Sequence, residues 1–146
     1  MIFRYLTSSF FTDYVNCTQM LQKQNRPYAH IIIEIDEGLN FALPIRHGIK
    51  HPYAFFTDDK KTQGLDYSKA VLIVDVSKYM DNARVAIING KEYFKIVQKE
   101  NFIIKQFMVY IKLYKKAYKK QNIETYKILC SMSCLQYFHL ELGIEQ

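Results

Sequence analysis

Two adjacent segments alternate strictly between inward and outward residues, and they constrain this chain more than any other feature. Residues 28–36 set Ala29, Ile31, Ile33 and Ile35 on one face and Tyr28, His30, Ile32 and Glu34 on the other. Residues 39–46 repeat this, with Leu39, Phe41, Leu43 and Ile45 against Asn40, Ala42, Pro44 and Arg46. A period of two belongs to a strand with one buried face, so the pair predicts a β-hairpin. Glu37-Gly38 as a two-residue loop would set odd positions opposite even ones and mix the faces. A three-residue loop, Glu37-Gly38-Leu39, keeps apolar opposite apolar, with Gly38 free to take positive φ. That register puts His30 opposite Arg46, with Tyr28 one step beyond. Pro44 has no N–H to give a ladder and implies an edge or a bulge.

Around the hairpin, residues 2–6 read as an opening strand. Thr7, Ser8 or Ser9 caps a helix carrying Phe10, Tyr14, Cys17 and Leu21 to about Lys23, ended by Asn25 and Pro27. Residues 54–57 predict a short strand and 58–64 an exposed turn. Residues 70–74 are apolar and β-branched, which predicts a central strand, and another strand is expected at 84–88. After Gly90 the period becomes helical. Phe94 and Val97 belong to a first turn or two. A helix over 101–120 then turns Ile103, Phe107, Tyr110, Ile111, Tyr114 and Tyr118 inward, and a last helix over 124–142 has a break near 131–133. Strands followed by helices in 146 residues predict one α+β domain, 1–146, with a helical C-terminal half.

The formal charge is +6, and it is concentrated. Residues 91–120 hold nine lysines against two glutamates, a local +7 that leaves the rest of the chain at −1. Lys105, Lys112, Lys116 and Lys119 fall within about 60° of one another on a helix, with Lys115 and Lys120 flanking. A cationic stripe with so few acidic partners points to a phosphate backbone. A membrane surface suits it less, because the opposite face is needed for the core and the chain has no Trp. Three cysteines, Cys17, Cys130 and Cys134, without a regular framework fit a reducing compartment. Cys130, Cys134 and His139 read as core residues rather than metal ligands, since no fourth ligand is evident. The N-terminus lacks a signal-peptide core and no apolar run approaches a bilayer's width, so a cytoplasmic protein is expected.

The chemistry-bearing stretch is 44–58, where Arg46, His47, Lys50 and His51 fall within six positions. Imidazole exchanges protons near neutrality, and fixed cations stabilise a phosphate gaining charge. That suits phosphodiester cleavage without a metal or other cofactor. His47 or His51 would act as base or acid, and Arg46 and Lys50 would stabilise the transition state. Tyr28 and Tyr53 are candidates to stack a splayed base, with His30 beside them. Lys105, Lys112, Lys115, Lys116 and Lys119 would follow an RNA backbone. The carboxylates read as strand-end and turn residues. A non-catalytic RNA- or DNA-binding module is the alternative.

Several stretches resemble a known family. They are Leu6-Thr-Ser-Ser-Phe-Phe-Thr-Asp-Tyr14, Asn25-Arg-Pro-Tyr28, Glu34-Ile-Asp36, Leu43-Pro-Ile-Arg46, Ile49-Lys-His51, Tyr53-Ala-Phe-Phe-Thr-Asp58, Gly64-Leu-Asp-Tyr-Ser-Lys-Ala-Val71 and Cys134-Leu-Gln-Tyr-Phe-His139. In this order they resemble the toxins of type III toxin–antitoxin systems, in the CptN/TenpN branch related to ToxN. The resemblance implies a compact, kinked antiparallel β-barrel with helices packed around it. It implies a metal-independent endoribonuclease that arrests growth, as in phage defence. Such a toxin is held inactive in a toxin–RNA assembly by a small pseudoknot RNA antitoxin, which it cuts from a repeat precursor. It places the active region on Arg46, His47 and Lys50, with His51 close by. ToxN carries a Thr-Ser pair where Arg46-His47 stand here.

Overall fold

A computed structural model describes residues 1–34 and 38–144 of the chain. Among these, six strands form one sheet: β1 (Ile2–Arg4), β2 (Tyr28–Ile33), β3 (Leu39–Arg46), β4 (Ala54–Phe56), β5 (Gly64–Asp66) and β6 (Val71–Leu72). The pairings are antiparallel, in the order β1-β2-β3-β5-β4, with β6 joined to β3. The helices are α1 (Ser8–Asp13), α2 (Val76–Tyr79), α3 (Gly90–Gln98), α4 (Glu100–Tyr118) and α5 (Glu124–Met132). The fold is α+β with a helical C-terminal half, as the order of periods predicts. The sheet stays open, with β1 and β4 at its ends, and does not close into a barrel.

The hairpin forms, with a different register and without the expected exposed face: Tyr28, Ala42 and Pro44 are buried, so β3 is covered on both sides over 41–45. Ile33 pairs with Leu39, His30 with Ala42 and Tyr28 with Pro44. His30 therefore lies away from Arg46, and its Nε2 meets Asn40 Oδ1 at 2.8 Å. Both registers have the same parity, so the apolar pattern alone does not separate them. Of the expected loop Glu37-Gly38-Leu39, Leu39 opens β3 instead and Gly38 holds φ +86°, while Glu37 lies outside the described residues with Ile35 and Asp36. Pro44 is tolerated inside β3 for a specific reason. The Ile45 N–H points to Pro27 O on the β2 side, so the N–H that proline lacks would point the other way. On that side β6 ends its pairing at Ala42 and β5 begins at Ile45, leaving a gap in the ladder.

Phe41 meets Phe107 of α4 edge-on at 5.0 Å, and Tyr67 packs on the same ring at 5.6 Å. Ile103, Phe107, Tyr110, Ile111, Tyr114 and Ala117 are the buried face of α4, leaving its lysines outside. Tyr118 is only half-buried. α5 ends at Met132, and Ser133 starts a 3-10 turn over Cys134–Tyr137, which is the expected break.

Three expectations are corrected. The first helix stops at Asp13, because the chain then makes i→i−3 turns, Cys17 N–H to Tyr14 O and Met20 N–H to Cys17 O. These turns still carry Tyr14, Cys17 and Met20 inward, which imitates helical spacing. The apolar run at 70–74 is not central. Only Val71 and Leu72 pair, with β3 alone, and Ala70 to Ile73 are buried by packing. Residues 84–88 form no strand, and Val85 and Ile87 are exposed.

Candidate active site

Arg46 ends β3 and Asp66 ends β5, in neighbouring strands where Ile45 pairs with Leu65. Across that step Arg46 Nη1 donates to Asp66 Oδ2 at 2.8 Å. After β3 the chain turns at Gly48, φ +75°, and the Ile49 N–H is tied to Thr62 O. The loop returns His51 to the same carboxylate, with Nε2 at 3.2 Å from Oδ2 and 3.1 Å from Oδ1. The Ser68 N–H and Oγ–H also donate to Oδ1. Asp66 is fully buried, and burial alone would push its carboxyl up. The donors His51, Ser68 and Arg46 outweigh burial and hold it below the usual carboxylate range.

His51 is committed at both ring nitrogens. Nδ1 accepts the Tyr53 backbone N–H at 3.0 Å, which leaves the proton on Nε2, facing Asp66. The Tyr53 ring stacks on the imidazole at 5.6 Å. Ser68, His51 and Asp66 have the composition of a nucleophilic triad without its wiring. Hydroxyl and carboxylate both face Nε2, and Ser68 is wholly buried. This network positions Arg46 and Tyr53; it offers no open base.

His47 points elsewhere. Its side chain is 64% exposed, with Nε2 at 3.6 Å from Oε1 of Glu92, a buried carboxylate on α3. Glu92 is held in turn by Thr57 Oγ1–H at 2.9 Å. This is an ion-pair distance and not a hydrogen bond, and the imidazole is mostly open to solvent. Two clefts of about 370 and 380 Å³ meet here, sharing His47, Asn89 and Glu92 as walls. One extends to Lys23 and Arg26, the other to Asp58, Lys91 and Lys95.

Arg26 joins the two clusters. Its Nη1 donates to Ile45 O, and its buried Nε has no hydrogen-bond partner among the described residues. Burial pushes the guanidinium below its ordinary value, Tyr28 and Asp66 oppose that, and Arg46 adds repulsion. Lys69 is lowered chiefly by burial and again by Arg46; its Nζ donates to Met132 O and Gln19 Oε1. Arg26 and Lys69 thus each feel both the Asp66 carboxylate and the Arg46 guanidinium.

The predicted quartet is therefore divided. Arg46 and His51 converge on Asp66, His47 faces Glu92, and Lys50 stands exposed on the loop between them. Tyr28 is 1% exposed, so it cannot stack a base, and His30 is engaged with Asn40. Tyr53 is partly open. Lys105, Lys112, Lys116 and Lys119 are exposed along α4, and Lys115 is half-buried. His139 is buried with Nε2 at 2.6 Å from Tyr114 Oη, and the Cys134 thiol donates to Gln19 O. Sequence reasoning missed Asp66, Glu92, Arg26 and Lys69. Asp66 follows a turn at the end of a three-residue strand, Gly64–Asp66, and no periodicity marks it as buried. Glu92 looks like an ordinary first-turn helix residue, and no signal marks it.

Neither family models, nor curated proteins, nor solved structures provide a match to this chain. What the geometry defines is an α+β fold whose sheet end carries an exposed histidine between two clefts, near Arg26 and the Arg46–Asp66 pair. Among the described residues no helix is long and apolar enough to cross a membrane.

Proposed function

We propose that this protein is a metal-independent endoribonuclease, a cytoplasmic toxin of the type III kind. It is restrained by a small pseudoknot RNA and cuts both cellular RNA and its own antitoxin precursor. The observation that carries the reading is the His47–Glu92 pair in a cleft that also holds Arg26, whose buried Nε has no hydrogen-bond partner among the described residues. His47 takes the proton of a ribose 2′-OH, Glu92 steadies the resulting imidazolium, and the 2′-oxygen attacks the adjacent phosphorus in line. The bond to the 5′-oxygen breaks, and that oxygen is protonated from water in the open cleft. Arg26, on the wall of the same cleft, stabilises the charge on the phosphorane. Products are a 2′,3′-cyclic phosphate and a 5′-hydroxyl. The lysines of α4 hold the antitoxin backbone in the toxin–RNA assembly.

The test is incubation of RNA with the protein in excess EDTA, with the new ends analysed chemically. Cyclic phosphate ends that vanish with His47→Ala support the scheme. Abolition by the chelator, or 3′-hydroxyl ends, removes it. The closed state of the His51–Asp66 network favours a second reading, a module that grips RNA without cutting it. Salt-sensitive binding with no new ends would establish that one.

A further inference from the structure

We propose that a recess between the β3–β4 loop and α4 is a seat for one unpaired nucleobase of the bound RNA. It rests on the RNA-binding half of the reading above and not on catalysis. Pro52, Tyr53 and Tyr67 face Val109, Tyr110 and Leu113 across a space of about 130 Å³. An apolar cavity of about 150 Å³ encloses benzene, so this smaller space, open at the rim where Val109 is exposed, covers part of one flat ring and is too small for a helix.

The walls are shaped for an aromatic guest. Tyr53 is already stacked on His51 and lies 5.8 Å from Tyr110, so its ring is held rather than free. Val109 is 64% exposed, an apolar side chain left uncovered at the rim. Gln106 supplies one polar group. Its Oε1 accepts the Tyr67 hydroxyl at 2.6 Å, which leaves the Nε2 donors for an acceptor on a base edge.

Charge selects nucleic acid over other aromatic guests. Lys105, Lys112 and Lys116, all outside the core, lie within about 60° of Val109 around the helix. A base in the recess would therefore have its neighbouring phosphates beside that row. The stack from the recess through Tyr53 and His51 leads to Asp66 and Arg46, so the seat lies beside that ion pair. Stacking of this kind tolerates any base, because each presents a flat face.

The experiment compares two uncleavable probes of equal length, a 2′-O-methyl oligonucleotide bearing bases and the same backbone made fully abasic. The wild-type protein binds the base-bearing strand about tenfold tighter. Tyr53→Ala brings that ratio close to one, Val109→Ser lowers it about threefold, and neither changes affinity for the abasic backbone. Tyr53→Phe keeps the ratio, which separates stacking from a general loss of fold. A wild-type ratio of one, or a ratio untouched by both variants, overturns the seat while RNA binding stands. Absence of binding to either probe overturns both. If the ratio is one and Val109→Ser instead dissolves a dimer in sedimentation, the face belongs to a second copy of the chain.

Discussion

His47, at the first position beyond β3, turns its Nε2 toward the buried Glu92 carboxylate on α3 at 3.6 Å, away from its neighbour Arg46. Successive residues at a strand end point to opposite sides, and here each finds its own carboxylate. The four cations and imidazoles of the loop therefore do not act as one group.

His47→Ala lowers the cleavage rate by about 10² to 10⁴, the range typical of a lost general base, with little change in thermal midpoint because the side chain is exposed. His51→Ala behaves oppositely. It frees the Tyr53 N–H and removes a donor from Asp66, so its first effect is on stability. Single-turnover cleavage and thermal melting on the same preparations separate the two.

Asp66→Asn removes the charge shared by Arg46, His51 and Ser68. The loss is about 2–4 kcal/mol, below that of a fully buried pair because the Arg46 side chain is 27% exposed. Because the folded pKa lies below the unfolded value, this carboxylate's contribution is complete above about pH 3.9 and is lost as pH falls through the folded value. Urea midpoints measured from pH 6 down to pH 2 should fall less steeply at the acid end for Asp66→Asn than for wild type.

Replacing Lys105, Lys112 and Lys116 together by Gln leaves the fold intact, since these side chains lie outside the core. Each contact to a single-stranded phosphate contributes about 0.7 to the slope of log affinity against log salt, so the slope flattens by about 2. An unchanged slope in fluorescence titrations would mean that the stripe does not touch the RNA.

Gly64→Ala is expected to be severe. Gly64 holds φ +151°, and a Cβ there would sit 1.8 Å from Phe55 O, inside the β4–β5 pairing. The backbones must part, taking Asp66 away from Arg46, at a cost of more than about 3 kcal/mol. Denaturant unfolding measures it, and a fall of less than 1 kcal/mol, near the average point mutation, would contradict the close approach.

The chain's own periodicities determined the α+β class, the core face of the hairpin, the α4 core and its lysine stripe, and the break before Ser133. All of these depend on spacing along one element, which local geometry dictates. Register was beyond that reach, because moving the partner of His30 from Arg46 to Ala42, four residues along, leaves every residue on its original face. The same holds for Cys17 and Met20, which tight turns and a helix would bury alike. Only the tertiary structure decided that Arg46 and His51 share Asp66 while His47 belongs with Glu92. Carboxylates on β5 and α3 meet a loop after β3 through chain closure and packing, and no pattern within 44–58 encodes which partner each side chain will find.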